Sequence, residues 1–206
     1  MTPLQHILQH KIVAILRGLN AEDVINVATA LHEGGINIIE VTLNSNDALS
    51  LIAKLSTSFQ NKMLVGAGTV LTVKDARSAI DAGARFLISP TLDVDVIKTA
   101  KDNAVVSIPG AYTPTEIFTA YKNGADIIKI FPAQNPEYVK QILAPLNNVL
   151  VMPTGGINVN NIEAYKKAGA SAFGIGSSLV NNKDKVDEFY LQNVTANAKR
   201  FVDPIK

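Results

Sequence analysis

Short apolar runs rich in valine and isoleucine alternate along the chain with longer segments whose apolar residues recur every three or four positions. The short runs are KIVAILRG (11–18), NIIEVTL (37–43), MLVGAGT (63–69), FLISP (86–90), VVSIPGA (105–111), DIIKIFP (126–132), VLVMPTGG (149–156) and AFGIGSSL (172–179). Most lack strict alternation, which predicts strands buried on both faces, as in parallel sheets. Segments such as AEDVINVATALHEG and TPTEIFTAYKNG predict amphipathic helices between them. Several of these end in a recurring glycine setting: EGGI (33–36), DAGA (81–84), NGAD (123–126) and KAGA (167–170). Glycine just past a helix supplies the left-handed cap that turns the chain into the next strand. Helix starts are expected at Thr113-Pro114 and at Asn158.

Strand starts recur roughly every 19 to 26 residues, with no linker and no shift in composition. Eight such units predict one α/β domain over 1–206, a (β/α)8 TIM barrel near the lower size limit of that fold. A doubly wound open sheet is the rival, but no GxGxxG opens the first unit. A short N-terminal helix around 3–9 should precede the first strand, and a polar C-terminal helix of about 183–200 should follow the last.

Composition narrows the function. Apolar residues make up 47% and charged residues 18%, as in a globular chain. Lys+Arg number 19 against 18 Asp+Glu, a net charge of +1. That balance argues against nucleic-acid or membrane-surface partners, which need a basic excess. The chain has no apolar stretch of membrane-spanning length. MTPLQHILQHK lacks a secretory pattern, so the expected location is cytoplasmic. With no cysteine there are no disulfides, thiolate nucleophiles or Cys-ligated metals.

Charges beyond the first residue of a strand are few: Arg17, Glu40 and Lys129, from strands one, two and six. All fall in the central or C-terminal part of their strand, the end that carries the active site of a barrel. Outward-facing, snorkelling side chains are the bland alternative. An inward lysine becomes a nucleophile toward carbonyl carbon only when neutral, and both desolvation and a cation such as Arg17 push it that way. A partly desolvated Glu40 could then move protons. His6 and His10 lie four apart without an intervening glutamate, which predicts a solvated face and no metal site. PTGGI (153–157) and FGIGSSL (173–179) place glycines after the last two strands. Loops there, with a following helix N-terminus, are a frequent phosphate site. VGAGTV (65–70) should bring backbone and Thr69 close to substrate.

In this order and spacing IIEVTL, GAGTVL, ISPTLD, PGAYTPTE, IKIFPA, PTGGI and GIGSSL resemble the 2-keto-3-deoxy-6-phosphogluconate aldolases, from about Lys11 to about Val180. That family includes the 2-oxo-4-hydroxyglutarate and 6-phosphogalactonate aldolases. The resemblance implies a class I, Schiff-base aldolase, without cofactor or metal, usually a homotrimer, acting on a phosphorylated 2-keto acid. It matches Lys129 to the Schiff-base lysine and Glu40 to the general acid/base. Thr69 and Pro90 match residues lining the pyruvate end, and Phe131 matches the aromatic beside the lysine. Arg17 matches an arginine near the substrate carboxylate. Gly155, Gly156 and Ser177 match phosphate-binding positions, and Thr154 the residue before the glycine pair.

Asn44 stands where some gluconate-type members carry arginine, and LNS and ILRG look galactonate-type. Thr154 looks gluconate-type, since a threonine can hydrogen-bond a substrate hydroxyl that an apolar residue cannot. The expected reaction is cleavage of 2-dehydro-3-deoxy-6-phosphogluconate to pyruvate and D-glyceraldehyde 3-phosphate. The alternatives are the galactonate epimer and 4-hydroxy-2-oxoglutarate. More remote are a phosphate-binding isomerase or synthase and a non-catalytic binding protein.

Overall fold

Threonines open three helices through reciprocal caps. Thr2 and Gln5, Thr72 and Asp75, and Thr113 and Glu116 each form a capping box, with Pro3 and Pro114 in the first helical turn. Such caps satisfy amide groups that the helix leaves unpaired, typically for about 1 kcal/mol each. In this computed structural model, which describes residues 1–205, they begin α1 (Pro3–His10), α4 (Val73–Asp81) and α6 (Pro114–Lys122). The other helices are α2 (Asp23–Glu33), α3 (Ala48–Ser58), α5 (Val94–Asp102), α7 (Pro136–Leu143), α8 (Ile162–Lys167) and α9 (Glu188–Val202). At the helix ends Gly35, Gly83, Gly124 and Gly169 have positive φ, as their settings predict. Asn61 and Ala104 take the same conformation after α3 and α5 without glycine.

All eight apolar runs form strands. They are β1 (Ile12–Leu16), β2 (Ile38–Thr42), β3 (Leu64–Gly68), β4 (Phe86–Ile88), the pair β5 (Val106–Ile108) and β6 (Gly110–Ala111), β7 (Ile128–Ile130), β8 (Val151–Pro153) and β9 (Phe173–Ile175). The fifth run is split at Pro109, which has no N–H to give to a ladder. Pairing is parallel throughout, in a curled six-stranded sheet β5-β4-β3-β2-β1-β9 and a three-stranded sheet β6-β7-β8. A single bridge, Thr154 to Gly174, and a bond from Ser171 N–H to the Val151 carbonyl link β8 to β9. Among the described residues no helix is long and apolar enough to cross a membrane.

The missing alternation has a simple cause: both strand faces are apolar and meet different cores. Ala14, Leu16, Ile39, Val41, Ile128, Ile130 and Val151 pack under the helices. Val13, Ile38, Phe86, Ile108, Ile127 and Met152 form a second cluster on the inner face, joined by Ile7 with Leu4 and Leu8 of α1. The N-terminal helix therefore covers the N-terminal end of that inner core.

Three expectations need correction. Helix α9 begins at Glu188, not near residue 183, because Asn181 and Asp184 hold a turn and Asp187 supplies the cap by accepting from Tyr190 N–H. It is also not polar all round, since Tyr190, Val194, Ala198 and Phe201 bury one face. Asn158 does not cap α8, which starts at Ile162 behind Asn161.

Helix α9 sits on α2 at a tight contact, where the Thr195 hydroxyl donates to the Ala30 carbonyl at 3.0 Å. A Cβ on Gly34 would lie 2.3 Å from Ala198 Cβ and 2.8 Å from the Thr195 carbonyl oxygen. Overpacking against backbone leaves little room for relief, so Gly34→Ala should destabilise the fold by about 1–3 kcal/mol, read as a lower urea midpoint at unchanged m.

Candidate active site

Glu40 is the middle residue of β2, paired with Ile15 and Gly66, and Lys129 is the middle residue of β7, paired with Gly110 and Met152. Side chains alternate across a strand, so each shares its face with the apolar residue two positions earlier, Ile38 and Ile127. Both therefore point to the inner face, one layer nearer the C-terminal strand ends. Glu40 is 1% exposed and Lys129 7%. Arg17, just beyond β1, is exposed at the same end. The snorkelling alternative fails for Glu40 and Lys129.

A cavity of about 490 Å3 opens there. Arg17, Glu40, Thr69, Pro90, Lys129 and Phe131 line one part of it, and Thr154, Gly155, Gly156 and Ser177 another. Every candidate site residue named from the sequence thus reaches one cavity. Lys129 Nζ lies 4.8 Å from the centre of the Phe131 ring, which is itself 40% exposed at the rim.

The glycine motif on β3 makes room for the carboxylate. A Cβ on residue 68 would lie 1.5 Å from Glu40 Oε1, so any other residue would occupy the space of the Glu40 side chain. Thr69, next along, has φ of +57°, a conformation that a β-branched residue adopts at an energetic penalty. Strain of this kind persists where the surroundings impose it, and here it brings Thr69 to the cavity wall.

Burial dominates the electrostatics. It raises the Glu40 pKa, opposed by the charges of Lys129 and Arg17. Burial likewise lowers the Lys129 pKa, opposed by Glu40 and assisted by Arg17. Glu40 Oε2 is buried without a hydrogen-bond partner among the described residues. A carboxylate oxygen left unpaired in a protein interior is costly and uncommon. The arrangement moves Lys129 toward its amine form, and it leaves Glu40 an oxygen ready to exchange a proton with whatever enters.

At the other side of the cavity Gly155 and Gly156 have φ of +88° and +77°. Helix α8 begins six residues beyond Gly156, at Ile162, and has only six residues. Any anion held here would meet loop N–H groups and not the helix terminus anticipated from barrel loops. Thr154 is buried, and among the described residues its hydroxyl makes only a long contact, 3.4 Å, with the Met152 carbonyl.

The histidines differ from expectation. His6 and His10 have ring centres 4.4 Å apart and are half-buried, not on a solvated face. With His32 they gather around Asn37, whose Oδ1 is 2.7 Å from His32 Nδ1. This cluster lies beside the start of β2, at the opposite end of the strand from the cavity.

A family model described as KDPG and KHG aldolase matches residues 4–196. The chain belongs to the KDPG and KHG aldolase family. It is 37% identical over 175 residues to a probable 2-dehydro-3-deoxy-6-phosphogalactonate aldolase of Rhizobium meliloti (strain 1021), covering 84% of this chain and 82% of that one. It is 35% identical over 158 residues to a 2-dehydro-3-deoxy-phosphogluconate aldolase of Treponema pallidum (strain Nichols), covering 75% of each. Among solved structures it resembles KDPG aldolase from Legionella pneumophila with pyruvate captured at low pH as a covalent carbinolamine intermediate. That match has a TM-score of 0.83 and 26% identity, and covers 98% of both chains. The protein is an aldolase, a carbon–carbon lyase.

Within this aldolase, Ser178 and Asn182 also line the cavity, as does Asn158, which the sequence marks only as a helix start. For Ser178 and Asn182 the polar run SSLVNN after the last strand is the available signal, but no spacing rule distinguishes it from ordinary loop residues.

The buried lysine has a cost that can be measured. Its pKa falls even with the attraction of Glu40 counted, so the ammonium form is net unfavourable in the fold. Between the lowered folded value and the ordinary lysine value of 10.5, the unfolded chain binds more protons and stability rises with pH. By that linkage Lys129→Met should stabilise the protein near neutral pH. Thermal melts should show that gain shrinking as pH approaches 10.5.

Proposed function

We propose that this protein is a class I aldolase that cleaves 2-dehydro-3-deoxy-6-phosphogluconate to pyruvate and D-glyceraldehyde 3-phosphate through a Schiff base on Lys129. The observation that carries this reading is a lysine and a carboxylate buried in one cavity, with pKa values moved in the directions the chemistry needs. The covalent pyruvate adduct named for the Legionella pneumophila relative supports it. The seams between the two sheets, through Pro109 and at the Thr154–Gly174 bridge, support one closed (β/α)8 barrel in a single domain over 1–206. A likeness to a designed cage built by fusing symmetric oligomeric domains supports an oligomer, which this reading takes to be a homotrimer.

The neutral Lys129 amine attacks the C2 carbonyl, and loss of water gives a protonated imine. Arg17, with the Thr69 segment, holds the C1 carboxylate, while Pro90 and Phe131 flank the pyruvate end. Glu40, through a water, removes the proton of the C4 hydroxyl. The C3–C4 bond breaks as its electrons pass into the C3–C2–N system, giving an enamine, and the aldehyde leaves. Protonated Glu40 returns a proton to C3, and hydrolysis of the imine releases pyruvate and restores the amine. Binding of the phosphate near Gly155, Gly156 and Ser177 would fix C4 against Glu40, so that remote contacts lower the barrier at the reacting bond.

Borohydride reduction in the presence of pyruvate should leave one adduct on Lys129, located by peptide mass spectrometry. Lys129→Ala should lose both adduct and cleavage, whereas Glu40→Gln should still be trapped but turn over at least about a hundredfold more slowly. Absence of the adduct in the unsubstituted protein would instead favour a phosphate-binding isomerase or synthase.

Asn44, which lines the cavity where some gluconate-type members carry arginine, favours a second reading with the galactonate epimer as substrate. Pyruvate release from the two epimers, measured side by side, separates them. Thr154→Val should cost the gluconate substrate about tenfold in kcat/KM and the galactonate substrate less, because only the former uses the hydroxyl.

A further inference from the structure

An anion cradle made from loop backbone works only if the carbonyl oxygens of that loop are kept from the anion, since each carries partial negative charge. Three of the four carbonyls in the segment Thr154–Ile157 are held, all but that of Gly155. The Thr154 carbonyl accepts from Ala133 N–H at 2.8 Å. That of Gly156 accepts from Asn161 Nδ2 at 2.9 Å and from Asn158 Nδ2 at 3.3 Å, which uses both of its lone pairs. The Ile157 carbonyl accepts from the Ser178 hydroxyl at 2.6 Å. Asn161 has no freedom in this, because its Oδ1 accepts from Asn158 N–H at 2.8 Å and so commits its Nδ2 to donate. By contrast, the N–H groups of Gly155, Gly156 and Ile157 make no hydrogen bond among the described residues. Gly156 and Ile157 thus combine occupied acceptors with unoccupied donors, and Gly155 adds a third unoccupied N–H, so donors outnumber free acceptors on this cavity wall.

We propose that Asn161 and Ser178 are positioning residues for the phosphate of the substrate: they hold the carbonyl oxygens of Gly156 and Ile157 so that this loop presents N–H groups to the cavity. Neither side chain needs to touch the phosphate. Ser178 has the further effect of tying the loop after β8 to the turn after β9, which keeps Ser177 and the glycine pair in one arrangement. This rests on the reading that the substrate is phosphorylated and that its phosphate lies at Gly155, Gly156 and Ser177.

The test compares 2-dehydro-3-deoxy-6-phosphogluconate with its unphosphorylated counterpart in the purified full chain, and adds inorganic phosphate as an inhibitor. Ser178→Ala and Asn161→Ala should each lower the ratio of the two kcat/KM values about tenfold, mainly through KM for the phosphorylated substrate. The inhibition constant for inorganic phosphate should rise by a similar factor, and Ser178→Thr, which keeps the hydroxyl, should restore the ratio. Equal losses on both substrates, leaving the ratio within about twofold of the unsubstituted protein, would show a structural role only and overturn the proposal. If Asn161→Ala does not fold, the Ser178 pair decides alone. An unsubstituted protein that turns over both substrates equally and ignores inorganic phosphate would instead refute the phosphate site itself.

Discussion

An ammonium and a carboxylate taken together out of water set the terms for the inner face of this protein. Neither Glu40 nor Lys129 is solvated, and burial outweighs their attraction in both pKa shifts. Other residues yield to that arrangement. Position 68 must lack a side chain because Glu40 fills the space, and Thr69 is held in the left-handed region beside it. The apolar layer below, with α1 over it, keeps water from reaching the pair through the N-terminal end. The instability concentrated here is what makes the amine nucleophilic, so stability and reactivity are opposed at one residue.

Much of this was legible in the chain. Charges are scarce in strands buried on both faces, so Arg17, Glu40 and Lys129 stood out by their position alone. Ordered motifs brought in Thr69, Pro90, Phe131, Thr154 and the glycines, and the cavity contains them all. Other features were hidden for physical reasons. The buried face of α9 is diluted by polar neighbours, so its spacing reads weakly. Asn161 and Ser178 donate to carbonyls across a loop and across two neighbouring loops, and no helix or strand periodicity announces such bonds. His6, His10 and His32 meet only because α1, α2 and the start of β2 converge on Asn37.

The two ends of the strands differ in kind. The N-terminal end is filled by aliphatic side chains and closed by α1, while the C-terminal end carries loops whose polar groups are spoken for by one another. The carbonyls of Gly156 and Ile157 are satisfied by side chains, whereas the N–H groups of Gly155, Gly156 and Ile157 have no partner among the described residues. Packing thus supplies a rigid floor, and hydrogen bonding within the loops determines which polarity meets the substrate.

The split at Pro109 bears on how the reacting groups move. Glu40 belongs to the six-stranded sheet and Lys129 to the three-stranded one. Their separation is therefore set by how two plates are mounted, not by the shape of either. One mounting is the contact of Asp126 with Ser107, the other the Ser171–Val151 bond and the bridge at Thr154. The gap between nucleophile and proton carrier therefore rests on the bonds at these seams, and a substitution that weakens a seam would alter it while both strands stay paired.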